Sequence, residues 1–147
     1  MKIQNKPYPY YDVPEISNLK QLVDYCANIY SDKVAFRYIK NNEEASITYK
    51  TFREDVIALS TFFINQGYNR RHIGLIGENC YEWIVSYFAI VNSNNVVVPF
   101  DKETPVADLK FIYKKSDTAT IIHTEAYSEE AISTGCTSLL CTKLLRE

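Results

Sequence analysis

Short apolar runs alternate with stretches of helical spacing along most of the chain. Continuous apolar runs at 72–76, 96–100 and 119–123 predict three strands that are buried on both faces, and 138–141 adds a shorter run. Residues with helical spacing separate these runs. This alternation is typical of a parallel sheet that helices cover on both faces. We therefore predict an α/β fold with an open, mostly parallel sheet.

A helix and a β-hairpin precede the predicted sheet. Residues 19–30 have helical spacing, and either Ser17 or Asn18 can act as the N-cap of that helix. The β-rich runs 34–39 and 45–49 are separated by a polar turn and predict a hairpin. The hairpin is thus expected as an appendage in front of the α/β domain.

Capping residues mark the helices that follow. Thr48 is the predicted cap of a helix that stops at Gly67, because glycine adopts the left-handed conformation of a helix end. Asn79 and Glu82 have the spacing of a capping box for the next helix, which is apolar on nearly every side and is expected in the middle of the domain. Thr104 is the predicted cap of the helix after that.

The predicted domain organisation consists of an arm and one domain. Residues 1–16 are polar, aperiodic and rich in Tyr and Pro, which predicts an extended N-terminal arm. Residues 17–147 contain neither a repeat nor a linker, and the chain length of 147 residues suits one domain. We predict that residues 17–147 form one scaffold unit.

Charge and hydropathy exclude several classes of protein. With 16 basic and 18 acidic residues the net charge is −2, so no basic excess exists to neutralise a nucleic-acid backbone. The N-terminus lacks the apolar core of a signal peptide, and the apolar stretch 83–91 is too short to cross a bilayer. The sequence therefore predicts a cytoplasmic protein that has no transmembrane segment and does not bind nucleic acid.

Cysteine and histidine do not form a recognisable metal motif. The chain has four cysteines and two histidines, namely Cys26, Cys80, Cys136, Cys141, His72 and His123. No two cysteines have C-x-x-C spacing, and the histidines are remote from them in sequence. We interpret the cysteines as free thiols, the histidines as core residues with satisfied hydrogen bonds, and we predict no metal ligands.

Ligands of open parallel sheets usually bind beyond the carboxyl ends of the strands, here 77–79, 101–103 and 124–125. Helix capping explains Asn79, and a solvated loop explains 101–103 better than an ion site does. The chain has only four glycines, and none lies in a glycine-rich phosphate loop, so a triphosphate cradle is absent from the sequence. A receiver-type phosphoacceptor domain is disfavoured because the first parallel strand lacks an acidic pair after it.

Three segments resemble conserved stretches of adenylate-forming enzymes. Residues 47–52 read ITYKTF and are similar to the motif L-T-Y-x-E-L, and residues 90–101 read IVNSNNVVVPFD and are similar to L-K-A-G-x-A-Y-V-P-I-D. Between them, GENCYEW within 73–83 resembles G-E-N-x-x-E-W. Two departures affect local backbone stability: Thr51 replaces the usual Glu, and Asn94 with Asn95 stands where the family often has Gly.

The resemblance covers about residues 17–127 and is closest to bacterial long-chain fatty acid CoA ligases. It implies a parent enzyme that activates a fatty acid with ATP and magnesium to an acyl adenylate and pyrophosphate, and then forms acyl-CoA and AMP. The family's Pro-Lys-Gly phosphate loop, Thr-Glu magnesium ligand, ribose Asp and lid lysine have no counterpart in the chain. We therefore assign no catalytic residue. The resemblance makes Lys102 the nearest candidate for a contact with a coenzyme A phosphate.

Two hypotheses follow from these observations. In the first, the chain is the incomplete N-terminal scaffold subdomain of an acyl-CoA synthetase, an AMP-forming acid-thiol ligase, and its partner is the rest of the parent chain. It is then expected to be inactive alone. In the second, the chain is a free-standing α/β interaction or oligomerisation module without catalysis, which self-associates through an exposed sheet surface.

Overall fold

The computed structural model describes residues 14–40 and 42–145, so most of the predicted N-terminal arm lies outside the described residues. It contains two sheets and six α-helices. The strands are β1 (Val34–Lys40), β2 (Glu43–Thr48), β3 (His72–Ile76), β4 (Val96–Pro99), β5 (Thr118–His123) and β6 (Thr137–Leu140). The helices are α1 (Leu19–Tyr30), α2 (Tyr49–Asn65), α3 (Tyr81–Asn92), α4 (Val106–Lys115), α5 (Ser128–Ser133) and α6 (Cys141–Leu144).

The main sheet has four strands in the order β4-β3-β5-β6, and all neighbouring pairs are parallel. The predicted α/β class with a parallel sheet is therefore confirmed. The chain moves from β3 to β4 on one side and then crosses back over β3 to reach β5 and β6. The sequence left this strand order open, because apolar runs reveal strands but not their neighbours.

Helices cover both faces of this sheet. One face carries α1, α2, α3 and α6, whose buried side chains form a single core with Ile73, Leu75 and Ile122. The other face carries α4 and α5 over Ile76 and Ile121. Side chains of successive strand residues point to opposite faces, which explains why these strands are apolar at consecutive positions.

The hairpin of β1 and β2 packs on the larger core through aromatic rings. The ring of Phe36 lies 5.0 Å from that of Phe52 and 5.7 Å from that of Tyr81, measured between centroids. Tyr38 stacks on Tyr81 with a centroid distance of 6.1 Å. The predicted helix and hairpin at the front of the domain are therefore confirmed, and they are anchored to α2 and α3.

Two of the predicted caps are present. The backbone N–H of Gln21 donates to Asn18 Oδ1 at 2.9 Å, so Asn18 rather than Ser17 caps α1. Thr48 caps α2 by accepting from the N–H of Thr51 at 3.1 Å. The hydroxyl of Thr51 lies 3.0 Å from that of Thr48, so Thr51 joins the cap in place of the usual Glu.

Two other predicted caps are wrong. Helix α3 has Cys80 as its N-cap, and no capping hydrogen bond comes from the predicted Asn79–Glu82 box. Helix α4 has Pro105 at its N-cap position in place of Thr104. In both cases the chain leaves a strand of the sheet only a few residues earlier, so the strand-to-helix connection decides where the helix begins.

Helix α3 is buried as its sequence predicts. All of its residues are at least partly buried, and Val85, Ser86, Ala89 and Ile90 are fully inaccessible to solvent. The hydroxyl of Ser86 donates to the carbonyl of Glu82 at 2.7 Å, which satisfies a polar group in this apolar setting. The helix therefore fixes the position of the loop that precedes it.

Candidate functional site

The candidate site lies between the carboxyl ends of β3 and β5. From β3 the chain passes to α3 on one face of the sheet, and from β5 it passes to α5 on the other face. Adjacent parallel strands whose connections diverge in this way open a crevice, where ligands of open α/β sheets bind. The order of the strands thus selects 77–80 and 124–127 as the segments that border the crevice.

A hydrogen bond joins the two segments. The hydroxyl of Thr124 donates to the Glu78 carboxylate oxygen Oε2. The backbone N–H of Thr124 also donates to the carbonyl of Ile76 at 3.2 Å, which extends the sheet pairing by one residue. Thr124 is buried and Glu78 is exposed. The carboxylate of Glu78 is therefore held at the rim of the crevice by a partner that is itself fixed.

Gly77 lets the two segments approach this closely. A Cβ atom at position 77 would lie 2.7 Å from Thr124 Oγ1 and 3.0 Å from Thr124 Cβ. These distances are shorter than non-bonded contacts allow, so a side chain at Gly77 would push the strand ends apart. The sequence shows a glycine at position 77, but Thr124, the residue whose close approach requires that glycine, is 47 positions further along the chain.

The third predicted segment follows β4 at the same edge of the sheet. Its Asp101 side chain accepts a hydrogen bond from the N–H of Glu103 at 2.9 Å and so stabilises a turn. Lys102 is exposed between these two acidic residues. The assignment of Lys102 to a coenzyme A phosphate stays a prediction.

The two histidines have hydrogen-bond partners within the fold. His123 is buried, with Nδ1 2.9 Å from the carbonyl of Thr124 and Nε2 2.7 Å from the hydroxyl of Ser138. Nδ1 of His72 lies 2.5 Å from the carbonyl of Ser116. These contacts agree with the interpretation of both histidines as residues with satisfied hydrogen bonds, although His72 is only partly buried.

Tyr81 positions the loop beside the crevice, a role that the sequence did not predict. Its hydroxyl donates to the carboxylate oxygen Oδ2 of Asp55 at 2.5 Å, which ties the first turn of α3 to α2. Burial raises the pKa of Tyr81, and its hydrogen bond to Asp55 adds to the rise. Tyr81 therefore remains a neutral donor and positions the loop that carries Glu78. Asp55 gave no sequence signal because its partner Tyr81 lies 26 positions further along the chain.

A cavity of about 560 Å³ opens at the opposite edge of the sheet. It is lined by residues that include Arg70, Arg71 and Asp117, and it lies at the amino ends of β3 and β5. Open parallel sheets bind ligands at the other edge. We therefore assign the candidate site to the crevice beside Glu78 and Thr124 in spite of the size of this cavity.

The crevice does not fit a nucleotide phosphate or a metal ion by itself. Its polar side chains include an exposed carboxylate, and the hydroxyl beside it already donates to that carboxylate, whereas a phosphate site needs amide or basic donors. No group of three or more His, Cys, Asp and Glu residues within 14–40 and 42–145 could hold a metal. We therefore derive no chemical step for these residues alone.

Comparison with known proteins identifies the family of the chain. A model of the AMP-binding enzyme family matches residues 23–144. The chain belongs to the AMP-binding enzyme family. This confirms the adenylate-forming superfamily that the sequence motifs indicate. A component of the mycosubtilin synthase of Bacillus subtilis is 26% identical to the chain over 125 residues, which are 84% of this chain and 5% of that protein.

Solved structures show the same fold in this family. The N-terminal domain of FACL13 from Mycobacterium tuberculosis superimposes with a TM-score of 0.77 at 14% identity, covering 90% of this chain and 36% of that one. O-succinylbenzoate coenzyme A synthetase from Bacillus subtilis, in complex with AMP, gives a TM-score of 0.73 at 11% identity, covering 85% and 32%. The chain thus spans about a third of each of these solved structures. Over its described residues, none of its helices has the length and apolar character needed to cross a membrane.

Proposed function

We propose that this member of the AMP-binding enzyme family is the N-terminal scaffold subdomain of an acyl-CoA synthetase and that it shapes one wall of the active-site cleft. The observation that carries the proposal is the family match over 23–144, together with a crevice at the switch point between β3 and β5. The bond between Glu78 and Thr124 fixes the width of this crevice. The chain's own contribution is then to hold two strand ends in place beside the substrates.

The cofactors of the proposed parent enzyme are ATP, magnesium and coenzyme A, which together convert a carboxylic acid to its thioester. The described residues lack a phosphate cradle, so we propose that the remainder of the parent chain supplies it. We further propose that the chain alone is inactive and that it acts in the cytoplasm. Lys102, exposed at the same sheet edge, is the proposed contact for a coenzyme A phosphate.

For the substrate class we propose a fatty acid. This proposal is supported by the amino-acid sequence of the motifs over 47–101, which most closely resembles that of long-chain ligases. One structurally similar protein is a synthetase named for a different acid, O-succinylbenzoate. A panel of acids therefore has to include both aliphatic and aromatic carboxylates.

Exchange of radiolabelled pyrophosphate into ATP tests the inactivity of the chain. We expect background exchange with decanoate, palmitate, benzoate and O-succinylbenzoate at all acid concentrations. Exchange that saturates with any of these acids would contradict the proposal. For the parent enzyme, an encoded continuation past Glu147 into a Ser/Thr/Gly-rich loop with Pro-Lys-Gly is the expected result, and a continuation of unrelated sequence would overturn it.

Binding of coenzyme A tests the role of Lys102. We expect weak binding that Lys102→Ala reduces severalfold, because the substitution removes one charge from a phosphate contact. Lys110→Ala is the matched control, since Lys110 is also exposed but lies within α4. Dephospho-coenzyme A separates a contact with the 3′-phosphate from a contact with the diphosphate. Equal binding by both variants would remove Lys102 from the proposed site.

A second candidate function, an interaction module, is favoured by the outer edge of β6. Strand β6 pairs only with β5 among the described residues. Beside it lies a groove of about 430 Å³ that Phe62, Ile132 and Leu140 help to line, and Ile132 is 66% exposed. Sedimentation of the chain tests self-association, with Ile132→Glu as the disrupting variant and Ile64→Glu, at an exposed position on α2, as its control.

A further inference from the structure

The cavity at the amino ends of β3 and β5 has no role in the proposed function. It has a volume of about 560 Å³ and lies between two connections that face each other, because β3 and β5 are adjacent parallel strands. The connection from α2 to β3 contributes Tyr68, Arg70 and Arg71 to its lining, and the connection from α4 to β5 contributes Asp117. Cavities of this size accommodate ligands as large as common metabolites.

Two adjacent arginine side chains line the cavity without a neutralising partner. The ion pairs within the described part of the chain are Arg37 with Glu44 and Arg53 with Asp24, so neither Arg70 nor Arg71 is paired there. Asp117 lines the same cavity but forms no salt bridge with either arginine. Both guanidinium groups are therefore available to an anion, and their planar donor geometry suits the oxygens of a phosphate or a carboxylate.

Backbone hydrogen bonds fix the segment that carries the two arginines. The N–H of Arg70 donates to the carbonyl of Asn94 at 3.0 Å, and the N–H of Arg71 donates to Asn95 Oδ1 at 2.9 Å. The carbonyl of Arg71 accepts from the N–H of Val96 at 2.8 Å. The segment before β3 is thus tied to the start of β4. Because both side chains leave from a fixed backbone, less ordering is required when a ligand binds.

A pair of hydroxyl groups adds a further hydrogen-bond donor to the cavity. The hydroxyl oxygens of Tyr68 and Thr120 lie 3.3 Å apart, and both residues line the cavity. Thr120 is buried, with 6% of its surface exposed. Each hydroxyl has one hydrogen, and only one of the two hydrogens is needed for the bond between them. The other is available to an oxygen atom of a ligand.

These groups favour a phosphate over a carboxylate or an acyl chain. A phosphate group of a monoester carries a charge of about −1.5 to −2 at pH 7 and has three acceptor oxygens, which match two guanidinium groups and one hydroxyl. A carboxylate offers one charge and two oxygens. The lining residues are mostly polar or charged, so an aliphatic chain would gain little burial of apolar surface.

We propose that this cavity binds a phosphate group, either as inorganic phosphate or as part of a small phosphate monoester, through Arg70 and Arg71. The carboxylate of Asp117 opposes binding and limits the affinity. The inference does not depend on the proposed function, because the cavity lies at the opposite edge of the sheet from the crevice beside Glu78 and Thr124.

Titration of the full chain with sodium phosphate, followed by two-dimensional proton–nitrogen NMR spectra, locates the site. Sodium chloride keeps the ionic strength constant, because salt screens exposed charges. We expect saturable shifts of the backbone amide signals within 66–72 and 117–120. Shifts confined to 77–80 and 124–127, or shifts spread over the surface without saturation, would overturn the proposal.

Substitutions at the two arginines test which groups bind the phosphate. Both arginines are exposed, so their replacement should preserve the fold. Arg70 has a φ of 52°, which Asn tolerates better than Ala, so the variants are Arg70→Asn and Arg71→Ala. We expect each to weaken phosphate binding about tenfold, because each removes a charge-assisted hydrogen bond. Arg37→Ala, at an exposed position in the hairpin, is the control. An equal loss in the control, or no loss in the two variants, would contradict the site.

Asp117→Asn gives a result of the opposite sign. It removes a negative charge from the lining, so we expect inorganic phosphate to bind severalfold more tightly. Unchanged or weaker binding would argue against a phosphate in this cavity. This measurement and the map of shifted amides in the wild-type chain remain decisive if an arginine variant does not fold.

Glycerol phosphate and glycerol distinguish the two sources of the phosphate group. We expect glycerol phosphate to shift the same amide signals as inorganic phosphate and glycerol to shift none. Tighter binding of glycerol phosphate assigns the cavity to a phosphate monoester, and tighter binding of inorganic phosphate assigns it to the free ion. Equal responses to glycerol and glycerol phosphate would refute recognition through the phosphate charge.

Discussion

The Thr124 hydroxyl donates a hydrogen bond to the Glu78 carboxylate, although the two residues are 46 positions apart in the sequence. They meet because β3 and β5 are adjacent parallel strands whose carboxyl ends lie at one edge of the sheet. The bond joins a buried residue to an exposed one at the rim of the crevice. It gives the candidate site a fixed geometry.

Replacing Thr124 by Val should test the energetic value of this bond. We expect the free energy of unfolding to fall by about 1 kcal/mol, because the variant keeps the shape of the side chain but cannot donate, while the released carboxylate regains water. Urea denaturation measures the difference. Thr124→Ser keeps the hydroxyl and is expected to lose less stability, so a Ser variant that is less stable than the Val variant would contradict this account.

The close approach of Gly77 to Thr124 leads to a second prediction. Gly77→Ala should destabilise the chain by about 1–3 kcal/mol, because its Cβ would lie 2.7 Å from Thr124 Oγ1. Combined with Thr124→Ala, which removes that atom, the cost of Gly77→Ala should become smaller. A double-mutant cycle by urea denaturation measures this coupling. Strict additivity of the two substitutions would argue against the contact.

Loss of the hydroxyl should have different effects on stability at two buried tyrosines, Tyr81 and Tyr113. Tyr81→Phe removes the 2.5 Å bond to the Asp55 carboxylate and should cost about 1.5–3 kcal/mol. The Tyr113 hydroxyl is buried without a hydrogen-bond partner among the described residues, so Tyr113→Phe should leave stability unchanged or raise it by up to about 1 kcal/mol. Thermal and urea unfolding of both variants provide the comparison, and equal losses would refute the contrast.

Alkaline pH should destabilise the folded chain in part through Tyr113. Burial raises the pKa of Tyr113 to about 12, and the nearby Cys136 adds to the rise, whereas the unfolded chain has the ordinary pKa of 10.0. The unfolded state therefore loses this proton first. The contribution is fully present below pH 10 and is lost as the pH rises through about 12. Urea titrations at pH 8, 10 and 11 should show that the free energy of unfolding falls less steeply with pH in Tyr113→Phe than in the wild-type chain. Equal slopes in the two proteins would contradict a contribution from Tyr113.

Adjacent residues of α2 provide a matched test of the larger core. Phe63 is fully buried and Ile64 is 58% exposed. Phe63→Ala should cost about 3–5 kcal/mol through lost burial and the cavity it leaves. Ile64→Ala should change the free energy of unfolding by less than about 0.5 kcal/mol, because the side chain remains largely in water. Similar losses at the two positions would show that α2 packs on a different face.

Short residue spacings predicted those structural features, such as helix caps, that depend only on residues close together in the sequence. Thr48 was predicted as a cap, and Asn18 was one of two candidates, because a cap and the amide that it accepts from are three residues apart. The capping predictions at Asn79 and Thr104 failed because each lies in a connection from a strand to a helix, where the sheet sets the path of the chain. The segments that border the crevice were predicted from the strand ends, but the pairing of Glu78 with Thr124 was not.

The sequence by itself determined most of the secondary structure, the α/β class, the burial of α3 and the family, since these follow from periodicity and from short motifs. It placed Cys141 in a strand, whereas that residue begins helix α6. Only the tertiary structure decided which strand ends face each other. The order β4-β3-β5-β6 brings Thr124 to Glu78. The physical reason is that hydrophobic burial specifies which residues go inside but is non-directional, so the partners of polar groups that are distant in sequence are set only when the whole sheet is assembled.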